Sequence, residues 1–97
     1  MAVIPKRHEM ILNAICNLRS RGCNFVESKA LIVHFYNSPV FKDFWNIWVR
    51  IDNEIQSEDI IEDLEYLHVR GFVYLDNIGD RIYLTQKSMN YLCQAAQ

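Results

Sequence analysis

The stretch at residues 57–85 constrains the fold more than any other part of the chain. It holds an apolar helical repeat, a glycine, two strand-like runs around a polar tip, and a threonine. Ile60, Leu64 and Leu67 stand at positions i, i+4 and i+7, with Ile61 and a histidine beside them, so one apolar stripe is expected to face inward. A glycine just past the last turn is typical of a helix end.

The residues around this helix predict its boundaries and the element after it. Ser57 is a candidate N-cap, because its side-chain oxygen can accept a free backbone N–H of the first turn. Gly71 suits the left-handed position at the other end. The runs at 72–75 and 81–84 are rich in aromatic and β-branched residues around a Gly- and Asp-containing tip, which is typical of a β-hairpin. We expect a closing helix after that hairpin.

The helix, the glycine, the hairpin and the run Tyr-Leu-Thr-Gln-Lys at 83–87 together resemble the recognition helix, wing and closing helix of winged helix-turn-helix regulators of the MarR and PadR kind. The resemblance covers about the last forty residues and its motifs are short. It implies an α+β, mainly helical single domain over 1–97, with a small antiparallel hairpin as the wing. It also implies a homodimeric transcriptional regulator whose third helix enters the major groove of DNA. Ser88 replaces the glycine usual in those families, which a helix tolerates.

Five side chains are the expected DNA contacts under this hypothesis. Lys29, at the start of the second helix, and Arg81, in the wing, would contact phosphates or the minor groove. Ser57 and Tyr66 would offer polar groups to bases, and Lys87 would add a phosphate contact. The chain as a whole gives no basic signature of nucleic-acid binding, because its net charge is −2.

The charges predicted for the outward face of the third helix disfavour DNA binding. At about 100° per residue, this face is predicted to carry five acids and one arginine, together with a tyrosine and a valine: Glu58, Asp59, Glu62, Asp63, Glu65, Arg70, Tyr66 and Val69. Carboxylates near the phosphate backbone repel it. The plainest interpretation is a solvated acidic face. The alternative function is a protein-interaction module whose acidic helix meets a basic protein partner.

The first part of the chain predicts two helices and a strand. Residues 6–21 form an amphipathic helix that ends at Gly22, and its basic entry at 6–8 is expected to be solvated. Residues 24–26 form a short strand that pairs with the hairpin. Ser28 then caps a second helix over 29–36, which is apolar nearly all round, so helix is chosen over strand on element order alone.

Residues 39–51 predict an extra, aromatic-rich helix, with Pro39 in its first turn and an unusually wide apolar arc. An arc this wide suggests packing on two sides, so Phe41, Trp45 and Trp48 are expected at a homodimer or partner interface, the alternative being a buried core helix. Residues 52–56 would be a polar linker. The tail helix supplies a second candidate interface through Tyr91 and Leu92.

Catalysis, metal binding and cofactor binding find little support in the sequence. There is no Gly-rich phosphate loop and no nucleophile motif, so an enzyme is not expected. The three cysteines are odd in number and lack metal-ligand spacing with histidine, so neither a metal nor a cofactor is expected. No apolar run has membrane-spanning length and no signal peptide is recognisable, which leaves a cytoplasmic protein as the default expectation.

Overall fold

The computed structural model describes residues 4–19, 24–39, 45, 49–51, 54–56, 58–76 and 80–95. Within these residues the fold is α+β and mostly helical, with four helices and five short strands. In chain order the elements are α1 (Lys6–Leu18), β1 (Phe25–Glu27), α2 (Ser28–Asn37), β2 (Val49–Ile51), β3 (Glu54–Gln56), α3 (Glu58–Val69), β4 (Val73–Asp76), β5 (Arg81–Leu84) and α4 (Gln86–Ala95).

The predicted hairpin is confirmed and belongs to a three-stranded antiparallel sheet in the order β1-β5-β4. Within the hairpin, Val73 pairs with Leu84 and Leu75 pairs with Ile82. The predicted short strand near residue 25 is also confirmed, and Val26 pairs with Ile82. Because β1 precedes α2, this pairing ties the start of the second helix to the hairpin.

The core lies where α1, α2 and α3 meet this sheet. The apolar positions predicted from helical spacing are buried, including Ile11 and Ile15 in α1 and the Ile60, Leu64 and Leu67 repeat in α3. The remaining large apolar side chains in this buried cluster come mainly from α2 and the sheet, namely Leu31, Ile32, Phe35, Val26, Val73 and Ile82. At about 25 cal/mol per Å² of buried apolar area, this cluster is the main favourable term in folding.

The junction between α3 and the hairpin is built around Gly71. Its φ of +83° lies in the left-handed region, as the sequence predicted. The N–H of Phe72 bonds to the carbonyl of Leu67, which closes the helix. Thr85 donates from its hydroxyl to the Gly71 carbonyl and accepts from the N–H of Ser88, so it caps α4 as expected. The start of α4 and the end of α3 are therefore held together.

The aromatic-rich helix predicted over 39–51 is wrong for every described residue in that span, and Pro39 and Trp45 lie outside any helix. Residues Val49–Ile51 form β2 and pair antiparallel with Glu54–Gln56, so part of the predicted polar linker is also a strand. The apolar run offered no helical period to separate helix from strand, and β-branched residues such as Val49 and Ile51 favour strands. Residues 40–44 and 46–48 lie outside the described residues.

Two predicted boundaries also differ. Helix α1 ends at Leu18, earlier than the glycine that was expected to stop it. Ser28 is the first helical residue of α2 and not its N-cap, a position that Glu27 occupies. The Ser28 hydroxyl instead donates to the carboxylate of Asp80, at the start of the last strand of the hairpin. This bond joins the start of α2 to the hairpin.

Candidate functional site

The exposed face of α3 carries an unusual share of apolar surface. Among the described residues five large hydrophobic side chains are exposed, and four of them belong to α3 or to β4, the strand after it: Ile61, Tyr66, Val69 and Tyr74. The fifth is Val33 on α2. Val69 is the most open, with 83% of its surface exposed. Ile61 was expected beside the buried stripe, so its 40% exposure corrects that prediction.

Two carboxylates flank these apolar side chains. Glu62 and Glu65 are exposed and form no ion pair with any residue that the structure describes. Asp59 is half-buried. The side chain of Glu58 is not among those that the structure describes. The exposed face of α3 is therefore acidic and apolar together, although it holds fewer free acids than the sequence predicted.

Asp63 accounts for most of that difference, because it is buried and not solvated. Only 4% of its surface is exposed, since it lies one helical turn before Leu67 on the inward side. Arg7 binds both carboxylate oxygens, from Nη2 to Oδ1 at 2.9 Å and from Nε to Oδ2 at 2.8 Å. The expectation that residues 6–8 are simply solvated is thus wrong for Arg7 and for His8, which is buried.

Two further groups complete the shell around this carboxylate. The indole N–H of Trp45 donates to Oδ2 at 2.8 Å, and Nε2 of His8 lies 3.0 Å from Oδ1. Asp63, Arg7, His8 and Trp45 form a cluster that we call the Asp63 cluster. It joins α1, the segment before β2, and α3 through charge-assisted hydrogen bonds. Sequence reasoning missed it; the usable signal was an acid one turn from a buried leucine on the same helix.

The Asp63 cluster also positions Tyr66 on the surface. The His8 and Tyr66 rings lie 5.0 Å apart between centroids, and the Arg70 guanidinium lies 5.1 Å from the Tyr66 ring. Tyr66 is 44% exposed, so one part of the ring packs on the histidine while the rest faces solvent. A half-exposed, well-supported aromatic ring is the kind of side chain that contributes strongly to protein interfaces.

A cavity of about 160 Å³ opens at the other edge of α3, between this helix and the hairpin. Its apolar lining comes from α3 and from both hairpin strands, namely Ile61, Leu64, Leu75 and Ile82. Its polar lining is mainly acidic and consists of Glu65, Asp76, Asp80, Arg81 and Ser28. The imidazole of His68 accepts the N–H of Leu75 at 3.2 Å and so helps to hold the hairpin against the helix.

The structure does not bring the four predicted DNA contacts that it describes onto one surface patch. Lys29 and Arg81 are exposed near the bond between Ser28 and Asp80, and the Arg81 guanidinium lies 4.3 Å from the Phe25 ring. Lys87 instead donates to the Arg70 carbonyl at 2.8 Å, so it closes the C-terminal end of α3. Tyr66 lies on the exposed face of α3, and Ser57 lies outside the described residues.

One of the predicted interface residues, Trp45, lies in the core, as in the alternative of a buried segment. Trp45 is 1% exposed and packs on Phe35 with centroids 4.5 Å apart, so within this chain it is a core residue and is not open to a partner. The indole ring of Trp45 packs in the core while its N–H donates to the buried Asp63 carboxylate. This double role explains why an aromatic residue stands at this position. The other two aromatic candidates, Phe41 and Trp48, lie outside the described residues.

The tail helix packs mainly on its own chain. Tyr91 and Leu92 are half-buried against the core, and the Tyr91 ring meets Phe72 edge-on at 5.9 Å. The Tyr91 hydroxyl lies 3.3 Å from a carboxylate oxygen of Glu9, to which it donates. Burial, followed by the negative charge of Glu9, raises the pKa of Tyr91.

The described residues hold no group of three His, Cys, Asp or Glu side chains arranged to bind a metal ion. In the same part of the chain, none of the helices has the length and apolar character needed to cross a membrane. Cys16 is half-buried and Cys93 is exposed, and both are free thiols.

Comparison of the chain with protein-family models found no match, and comparisons with curated proteins and with solved structures found none either. The function is therefore argued from the geometry of α3 and its surroundings.

Proposed function

We propose that this protein is a winged-helix interaction module that binds another protein through the exposed face of α3. Apart from the added β2–β3 pair between α2 and α3, the element order of helix, strand, helix, helix, hairpin and helix supports the winged-helix assignment, as does the sheet order β1-β5-β4. In such a fold the third helix and the hairpin are presented to a ligand. The fold alone does not specify the ligand, so the kind of ligand has to be inferred from the exposed side chains.

One observation carries the choice of a protein ligand. Four of the five exposed large hydrophobic side chains among the described residues lie on α3 or β4. Leaving Val69 and Tyr74 in water forgoes the hydrophobic stabilisation that burial against a partner would provide. Their clustering on adjacent elements is what an interface requires, whereas scattered exposed residues would need no explanation.

The charged side chains beside this apolar surface indicate the kind of protein partner. Glu62 and Glu65 flank the apolar side chains, so a segment with basic residues beside apolar ones complements the face. The same carboxylates would repel a phosphate backbone laid along α3.

Peptide display against the immobilised protein tests this proposal. We expect selected peptides to combine basic and apolar residues, and to bind the Val69→Asp variant about tenfold more weakly or worse. Val33→Asp is the matched control, because it makes the same substitution at an exposed valine on α2 and should leave affinity unchanged. Peptides that bind both variants as well as the wild type would place the interface away from α3.

A homodimeric DNA-binding regulator is the second candidate. It is favoured by Lys29 and Arg81, which are exposed close to the bond that joins α2 to the hairpin, where winged-helix proteins contact phosphates. In this hypothesis α4 supplies the dimer contact. Fluorescence anisotropy of a labelled random-sequence duplex, titrated from low to physiological salt with the oligomer mass measured alongside, separates the two candidates. Binding that weakens steeply with salt and is lost in Arg81→Ala would establish DNA binding and contradict the interaction module.

A further inference from the structure

The cavity beside α3 is continuous with the proposed protein-binding face. Ile61 and Glu65 line the cavity and also belong to the exposed surface of the helix. A segment lying along α3 across Val69 and Glu62 therefore passes the mouth of the cavity.

The lining of the cavity specifies the chemistry of that side chain. Its apolar lining is aliphatic, because Ile61, Leu64, Leu75 and Ile82 supply it. Its polar lining has carboxylates from three places, which outnumber the single guanidinium of Arg81. That guanidinium is already stacked on Phe25, and Asp80 already accepts from Ser28. Glu65 forms no ion pair with any described residue.

We propose that this cavity receives an arginine side chain from the partner's basic segment, a step that rests on the proposed function. The aliphatic stem of arginine suits the leucine and isoleucine wall, and long cationic side chains commonly bury their stems while the charged end stays at a polar rim. A planar guanidinium has five N–H donors, so it can bind Glu65 on the helix and a carboxylate of the hairpin at the same time. The volume of about 160 Å³ is sufficient for one such side chain.

An NMR titration with a defined probe tests the site. The probe is N-acetyl-arginine amide, and its control is N-acetyl-citrulline amide, which has nearly the same shape and no charge. We expect saturable shifts of the backbone amides of Ile61, Leu75 and Ile82 with the arginine probe, and affinity lower by about fivefold or more for the citrulline probe. Added salt should weaken only the arginine probe.

Two matched variants test whether the arginine probe binds in the cavity. Glu65→Gln removes the helix carboxylate at the cavity and should lower the affinity for the arginine probe toward that of the citrulline probe, while the hairpin carboxylates remain. Glu62→Gln makes the same change one turn away, outside the cavity lining, and should leave the affinity within about twofold. Both glutamates are exposed and have no described ion pair, so neither change should unfold the protein.

The outcomes separate this inference from the proposed function. Equal binding of both probes, equal effects of both variants, or no saturable shifts would overturn the arginine site. If display nevertheless yields peptides sensitive to Val69→Asp, the protein-binding face stands without an arginine anchor. If the arginine probe binds but display yields no such peptide, the cavity is a site for a free guanidinium compound, and both the interaction module and the partner anchor are wrong.

Discussion

Asp63 is the residue that holds together the buried polar cluster between α1, Trp45 and α3. Its carboxylate accepts from Arg7 and Trp45 and contacts His8, so three side chains rely on one buried acid. The Arg7 contact contributes least to stability, because 47% of that side chain is exposed and solvent screens it. The contacts to His8 and Trp45 are buried, so they should dominate the energy.

Substitution of Asp63 by alanine should lower the free energy of unfolding by about 3 kcal/mol, because it leaves the Trp45 N–H and the His8 ring without their buried partner. Urea unfolding followed by circular dichroism measures this. Glu62→Ala is the control, since it removes an exposed acid next to Asp63 in the sequence and should change stability by about 0.5 kcal/mol or less. Similar losses for the two variants would show that the Asp63 cluster does not stabilise the fold.

Tyr91 predicts a dependence of stability on alkaline pH. Burial and the Glu9 carboxylate raise its pKa above 10.0, the value expected for the unfolded chain. The neutral phenol is therefore favoured in the folded state, and its contribution is complete below pH 10.0 and is lost as pH rises through the folded pKa. We expect wild type to lose more stability than Tyr91→Phe between about pH 9 and about pH 11 in urea unfolding. Parallel losses in the two proteins would contradict this assignment.

Among the elements, the α3–hairpin junction is the most tightly specified. Gly71 supplies the left-handed residue, Thr85 binds its carbonyl, and Lys87 binds the carbonyl of Arg70 before it. The junction fixes where β4 leaves the helix. It thereby fixes the distance between the α3 face and the hairpin, and with it the shape of the cavity.

Gly71→Ala should cost about 1 kcal/mol through backbone strain alone, because an alanine Cβ at this site would meet only the Lys87 Cδ, at an ordinary 3.9 Å. Gly71→Asn should cost less, since asparagine adopts the left-handed region more readily. Thermal and urea unfolding of both variants measure the order. A loss well above about 3 kcal/mol for alanine would mean that the added methyl group does clash.

At the scale of the molecule, the described helices and sheet share one core. Trp45 lies in that core against Phe35 and also binds Asp63 on α3, which links the segment before β2 to both helices. The radius of gyration is 13.0 Å, close to the value expected for a compact domain of this length. One cooperative unit is therefore expected, including Trp45.

This predicts that unfolding is a single transition. In a Trp48→Phe variant, Trp45 is the remaining tryptophan, and its fluorescence should change at the same urea concentration as the helical circular dichroism signal. The two transitions are expected to coincide because the tryptophan and the helices belong to one core. A fluorescence transition at lower urea would show that the segment around residue 45 opens before the rest of the domain.

The sequence by itself determined the elements whose signals are local. The helical spacing of Ile60, Leu64 and Leu67, the glycine at 71 and the strand-rich runs around it predicted α3 and the hairpin correctly, because each depends on residues a few positions apart. The apolar spacing of α1 was equally informative about its buried face.

The tertiary structure decided what depends on distant partners. Asp63 meets Arg7 across 56 positions of sequence, so its partners could not be identified from local spacing, although its place one turn before Leu67 was a usable signal of burial. Val49–Ile51 and Glu54–Gln56 became two strands and Trp45 became a core residue, because a segment without a clear helical period takes its structure from what it pairs with and packs against. The cavity beside α3 likewise exists only once helix and hairpin are placed together.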